Sequence, residues 1–149
     1  MNDLRDLYQE TILEHYKKPR NHHDLPDATA HADGYNPLCG DKVKIHLKLA
    51  DGVVTDVAFE GSGCAISTAS ASIMTEALKG KTIEEANRLF TTFHDLVTDQ
   101  GPQPEASGLG KLAVFGGVRE FPMRVKCATL AWHTMKAALD QTNDPVSTE

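Results

Sequence analysis

Between Lys42 and Leu49 polar and apolar residues alternate, with Val43, Ile45, Leu47 and Leu49 set against Lys42, Lys44, His46 and Lys48. A period of two predicts a strand with one buried and one wet face. Asp51-Gly52 supplies the positive φ angles of a type I′ turn, so Val53 to Glu60 is expected to return as the second strand of an antiparallel hairpin.

On either side the spacing becomes helical. Leu4, Leu7, Tyr8 and Ile12 predict an amphipathic first helix over 4–16, stopped by Pro19 just after Lys17-Lys18. Residues 19–38, with Pro19, Pro26, Gly34 and Pro37 and no sustained period, are expected to form an ordered loop. After Gly61-Ser62-Gly63, the residues Ile66, Ala69, Ile73 and Ala77 share a helical face ending at Gly80, which sets Cys64 at or near a helix start. Thr82-Ile83-Glu84-Glu85 has the capping-box form, and Ile83, Ala86, Phe90, Phe93 and Val97 carry the stripe of the helix it opens.

The stretch from Asp99 to Gly110 is rich in Gly, Pro and Ser and reads as a loop, with a short helix from Lys111 to Val118. Pro122 restricts its neighbours. From Ala128 onward, Leu130, Ala131, Thr134, Ala137 and Ala138 form a last helical face that ends before Asn143-Asp144-Pro145, so Cys127 is expected at a helix beginning. Residues 141–149 are expected to be a flexible tail.

The 149 residues suit one domain over 1–149, which buries roughly 70 % of its unfolded surface and needs no disulfide staples. With 21 acidic against 15 basic residues and a net charge of −6, the chain repels a phosphate backbone, so nucleic acid is not an expected partner. No apolar run approaches the ~20 residues of a membrane helix, and Met1-Asn2-Asp3-Leu4-Arg5-Asp6 lacks the blocks of a secretion signal. A cytoplasmic protein with no membrane partner is expected. Its three cysteines are odd in number and widely spaced, which suits reduced thiols better than a disulfide framework.

Zinc favours four ligands in a tetrahedron and accepts thiolates with a carboxylate, so Cys39, Asp41, Cys64 and Cys127 can complete one site. In an extended segment residues two apart share a face, which would aim Cys39 and Asp41 at one ion while Gly40 permits close approach. Cys64 and Cys127, both expected at helix starts, would have their thiolates stabilised by free amides and the positive end of the helix dipole. Three thiolates and an aspartate leave a divalent site with a net charge of about −2, which Arg124 and Lys126 beside Cys127 could offset. The residue types alone equally allow three cysteines filling a core, an Asp41 that caps a turn, and Arg124 and Lys126 as ordinary surface charges.

His22-His23 in the loop, His46 among outward lysines, and His15, His94 and His133 on helices are read as structural or solvated, none having metal-ligand spacing. Ser67, Ser70 and Ser72 lack a paired base that would make a nucleophile.

Three stretches together resemble the SufU proteins, relatives of the IscU iron–sulfur scaffolds. They are Asn36-Pro37-Leu38-Cys39-Gly40-Asp41, Gly61-Ser62-Gly63-Cys64-Ala65-Ile66-Ser67 with Ala69-Ser70-Ala71-Ser72, and Arg124-Val125-Lys126-Cys127-Ala128-Thr129-Leu130-Ala131-Trp132. Leu7-Tyr8 and Ile12 through Asn21 also look like that family, so the resemblance covers nearly the whole chain. It implies an α+β fold with a small antiparallel sheet packed by helices, an IscU/SufE-like fold, and a Zn2+ site at Cys39, Asp41, Cys64 and Cys127.

Scaffold-type relatives characteristically have a histidine immediately before the third cysteine and a shorter interval between the second and third. Here Lys126 stands in place of that histidine, and the longer interval accommodates an extra segment around residues 100–121. Both departures point to the SufU branch. Its members resemble zinc-dependent sulfurtransferases that receive persulfide sulfur from a pyridoxal-phosphate cysteine desulfurase and pass it to the iron–sulfur cluster assembly complex. The pyridoxal phosphate belongs to the partner, and Lys126 is read as a charge beside the site rather than a Schiff-base lysine. Cys39, in the Pro37-to-Gly40 loop, is the expected sulfur acceptor, with Cys127, which the resemblance sets at a sulfur-accepting position of scaffold-type relatives, as the competing candidate. The competing readings, with the same ligands, are a scaffold on which an iron–sulfur cluster is assembled and a structural zinc-binding interaction module.

Overall fold

The computed structural model describes residues 3–98, 112, 115, 118, 121–140 and 146–147. Helix α1 (Asp3–Lys17) is followed by strands β1 (Ala30–Asn36), β2 (Asp41–Ala50) and β3 (Val53–Ser62). Helices α2 (Ala65–Leu78), α3 (Ile83–Thr98) and α4 (Pro122–Leu139) come next, and β4 (Val146–Ser147) closes the order. The sheet order is β3-β2-β1-β4, antiparallel throughout β1, β2 and β3, with β4 parallel to β1.

The hairpin forms as its alternation requires. Asp51 and Gly52 both have positive φ, 52° and 76°, and a register shift at Lys48/Leu49 adds a bulge before the turn. Ile45 and Leu47 are fully buried on the inner face. The capping box also forms: Glu85 N–H donates to Thr82 Oγ1 and Thr82 N–H to Glu85 Oε1, each at 3.0 Å. That satisfies amides which the first turn of α3 would otherwise leave without partners.

Helix α4 packs across β1 and β2 and against α2, and α1 and α3 lie on α2 and α4 respectively. Trp132 of α4 is the centre of the core, stacked on Phe93 of α3 at 4.5 Å, with Phe115 set edge-on to Phe93. Burying each such aromatic is worth about 1.5–3 kcal/mol. Ser70 links the helices by donating to Ala128 C=O at 2.6 Å and accepting the Trp132 indole N–H at 3.1 Å.

Two expectations are corrected. Residues 30–36 are a strand rather than part of a loop, with Ala30, Ala32, Gly34 and Asn36 buried and His31, Asp33 and Tyr35 exposed. Helix α4 begins at Pro122 rather than Ala128, because proline lacks the amide that a first helical residue would leave unpaired and its fixed φ suits that position.

Of the short helix expected over 111–118, Leu112, Phe115 and Val118 are described, and all three are buried. The loop expected over 99–110 lies outside the described residues, as do the side chains of Leu4, Leu7 and Tyr8. Within the segment expected to be a tail, Val146–Ser147 pairs with Gly34 and Tyr35. Among the described residues no helix is long and apolar enough to cross a membrane.

Candidate metal centre

The turn between β1 and β2 is organised by Asn36. Its backbone C=O accepts the Cys39 N–H at 3.2 Å and its side-chain Oδ1 accepts the Leu38 N–H at 3.2 Å. Gly40, at φ 73°, then turns the chain into β2. Cys39 is thus exposed on the turn, while Asp41, the first residue of β2, is fully buried. They do not share one extended segment, contrary to expectation, because residues 37–40 form a turn and Asp41 opens β2. Their ligand atoms nevertheless converge with that of Cys127, all lying within 4.8 Å of one another.

Asp41 also reaches the second cysteine. Its Oδ1 accepts the Cys64 N–H at 2.8 Å, and its Oδ2 lies 3.8 Å from Cys64 Sγ. Gly63 makes room for this, since a Cβ there would stand 2.7 Å from Asp41 Oδ1. Cys64 is the N-cap of α2, and its Sγ accepts the Ser67 N–H at 3.4 Å. Its thiol is lowered to about 7, first by a hydrogen bond from Cys127 and then by the Ser67 and Ile66 amides, against burial and the charge of Asp41.

Cys127 departs from expectation. Because α4 starts at Pro122, Cys127 lies in the second turn, beyond the free amides of the helix end, and it is buried. Its thiol is raised well above the ordinary range by the hydrogen bond it gives to Cys64 and by burial. Cys64 is therefore the more acidic thiol of the pair. Cys127 Sγ is 3.5 Å from Cys39 Sγ and 3.9 Å from Asn36 Nδ2. The three cysteines are free thiols.

Zinc with Zn–S bonds near 2.3 Å in a tetrahedron has sulfur–sulfur edges of roughly 3.8 Å. The Cys39–Cys127 separation of 3.5 Å is of that size; Cys64 Sγ stands 3.8 Å from Asp41 Oδ2 and lies outside the trio of Cys39, Asp41 and Cys127 whose donor atoms are all within 4.8 Å of one another. Three sulfurs and one carboxylate are a donor set zinc accepts, so these four side chains could hold the ion.

Arg124, one helical turn before Cys127, stands exposed with its guanidinium 4.4 Å from the centre of the Phe121 ring, and Lys126 is half-buried. Asn36 is the site residue given no role from the sequence; its signal there is its place at the head of the Asn36-to-Asp41 stretch. Ser72 does have a base beside it, contrary to expectation: Ser72 Oγ is 2.7 Å from His15 Nδ1. Both side chains are fully buried and Ser72 Oγ also accepts the Arg20 N–H at 2.8 Å, so the pair joins α1 to α2 and is closed to a substrate.

The sequence matches the NifU-like N terminal domain family over residues 7–141. It is 44 % identical over 135 residues to the zinc-dependent sulfurtransferase SufU of Bacillus subtilis, covering 90 % of each chain. It is 40 % identical over 139 residues to the iron–sulfur cluster assembly scaffold protein IscU of Streptococcus pyogenes, covering 93 % of this chain and 86 % of the relative. In three dimensions it is similar to the N-terminal part of a NifU-like protein from Brucella abortus, with a TM-score of 0.81, 30 % identity and coverage of 91 % and 94 %.

Proposed function

The chain belongs to the NifU-like N-terminal domain family, and from that membership we propose that it works in iron–sulfur cluster assembly as a zinc-dependent sulfur acceptor. It takes persulfide sulfur from a pyridoxal-phosphate cysteine desulfurase and passes it to the assembly complex. The observation that carries this reading is an exposed thiol, Cys39, 3.5 Å from a buried one, Cys127, beside Cys64 and Asp41.

Cys39, Asp41, Cys64 and Cys127 would hold the zinc, which when bound would keep its thiolate ligands deprotonated at neutral pH. Cys64 and Cys127 are anchored on α2 and α4, whereas Cys39 sits on a turn open to solvent. The Cys39 thiolate attacks the outer sulfur of the partner's persulfide. A sulfur–sulfur bond forms on Cys39, the persulfide's own sulfur–sulfur bond breaks, and the desulfurase cysteine leaves as a thiolate, with no outside oxidant or reductant.

The scaffold reading is the second, favoured by the 40 % identity to a protein named as an IscU scaffold. Against it, Lys126 precedes Cys127 where the resemblance implies a histidine in scaffolds. Mixing the zinc-loaded protein with its desulfurase and cysteine separates the readings. Faster sulfide release without a chromophore supports the acceptor; a chromophoric cluster without faster release overturns it in favour of the scaffold. Neither response leaves a structural zinc module.

A further inference from the structure

On the opposite face of the sheet lies a second group of donors. His46 alternates outward with Lys44 and Lys48, yet it is only 3 % exposed, so of the two readings, structural or solvated, it is the structural one. The chain before β1 accounts for this. Asn21 C=O accepts the Phe59 N–H at 2.9 Å on the free edge of β3, the His22 ring stacks on Phe59 at 4.7 Å, and the segment then brings Asp24 to His46.

Both nitrogens of His46 are engaged. Nδ1 is 2.7 Å from His31 Nδ1 on the neighbouring strand, its register partner. Nε2 is 2.8 Å from Glu60 Oε2 and 3.7 Å from Asp24 Oδ1. Asp24 Oδ1 also accepts the Leu25 N–H at 2.8 Å. Nearby outward lysines are turned to other acids, Lys44 to Asp33 at 3.9 Å and Lys48 to Asp27 at 3.7 Å. Two carboxylates therefore converge on one buried imidazole.

We propose that Asp24, His46 and Glu60 form a second site for a divalent first-row metal ion such as zinc, with His31 as the residue that positions His46. The donor atoms lie within 4.8 Å of one another, and one imidazole with two carboxylates suits such an ion. Asp24 and Glu60 are 64 % and 44 % exposed, so the carboxylates form an open mouth over a buried nitrogen, leaving further positions to water.

The His31 contact gives the site its proton logic. Without metal, His46 Nε2 carries hydrogen to Glu60, and Nδ1 accepts from His31. With metal on Nε2 the His46 hydrogen sits on Nδ1 and is donated to His31 Nδ1, while His31 carries its own hydrogen on Nε2, so each ring keeps one; this is the outer hydrogen bond that metal-bound imidazoles commonly make. The site is separate from the cysteines: Asp41 and His46 are five residues apart on β2, about 17 Å along the strand, with side chains on opposite faces. Lacking sulfur, it binds zinc more weakly than the thiolate site.

Zinc titration of the full chain, with the cysteine site already filled, tests this. Wild type is expected to take a second equivalent, and the double variant Asp24→Asn/Glu60→Gln, altered at two exposed side chains, to bind that equivalent at least tenfold more weakly. His31→Ala should weaken it by about 10–100-fold. Nitrogen-15 spectra of the wild-type imidazoles provide a readout independent of any variant's folding: the second equivalent should shift His46 Nε2 and place the hydrogen on Nδ1. No second equivalent, one unaffected by the double variant, or unmoved His46 resonances would overturn the proposal.

Discussion

Cys127 Sγ lies 3.5 Å from Cys39 Sγ, joining residues 88 apart in the chain and linking the second turn of α4 to the β1–β2 turn. At that distance the sulfurs are not bonded, since a disulfide measures about 2.05 Å. They are close enough to share an ion, and the buried member of the pair cannot turn away to water.

One tightly held zinc per chain is therefore expected after dialysis, with most of it lost in Cys64→Ala and Cys127→Ala. Metal that binds only the folded chain stabilises it, by about 4 kcal/mol when free zinc is 1,000 times its Kd. Chelation should accordingly lower the thermal midpoint of wild type and leave the variants nearly unmoved. Elemental analysis with thermal unfolding checks both, and an unchanged zinc content in either variant would remove the ligand assignment.

Asp41 is expected to matter more for transfer than for holding metal. Asp41→Ala retains three sulfur donors and so keeps zinc, but it loses the oxygen that tunes the site's charge and the bond to the Cys64 N–H. Desulfurase stimulation should fall about tenfold or more. Gly63→Ala should reproduce this with all four ligand residues kept, because its Cβ would stand 2.7 Å from Asp41 Oδ1 and displace that carboxylate. Wild-type stimulation by both variants would reduce Asp41 to ordering the turn.

The β2–β3 hairpin was legible because large apolar side chains alternate and Asp51-Gly52 names the turn. Strand β1 escapes the same test for a physical reason: its inward positions are Ala30, Ala32, Gly34 and Asn36, kept small because α4 lies directly on them. A Cβ on Gly34 would collide with Thr134 Oγ1. The start of α4 is hidden because Pro122, Met123 and Arg124 are exposed and carry no apolar stripe. At the site, residue type announced the thiols, but Asn36 acts through burial and backbone contacts. Alternation gives the face on which His46 lies and says nothing of the segment that covers it.

The capping box makes a prediction on pH. Glu85 is held below its ordinary value of 4.5, first by the Thr82 N–H and then by the Thr82 hydroxyl. A carboxylate lowered on folding contributes stability that is full above its unfolded pKa and is lost as pH falls through the folded one. Glu85→Gln should thus melt below wild type at pH 7 and match it near pH 3, whereas Thr82→Ala should cost about 1 kcal/mol at neutral pH. Thermal unfolding at the two pH values decides, and an equal Glu85→Gln deficit at both would refute the charge argument.

The identity of the sulfur-receiving cysteine is the sharpest test of function. Cys127 is buried in α4, so it is the least reachable of the three. Cys64 has the lowered thiol, but its sulfur caps α2 through the Ser67 amide and is half-buried. Cys39 alone of the three is exposed, on a turn rather than a helix, so it can leave its neighbours for a partner's persulfide while the other two stay in place. After one turnover with desulfurase and cysteine, alkylation and peptide mass spectrometry should find the extra sulfur on Cys39. A persulfide on Cys127 with Cys39 unmodified would require α4 to open around the site, and would return the function to cluster assembly on this chain itself.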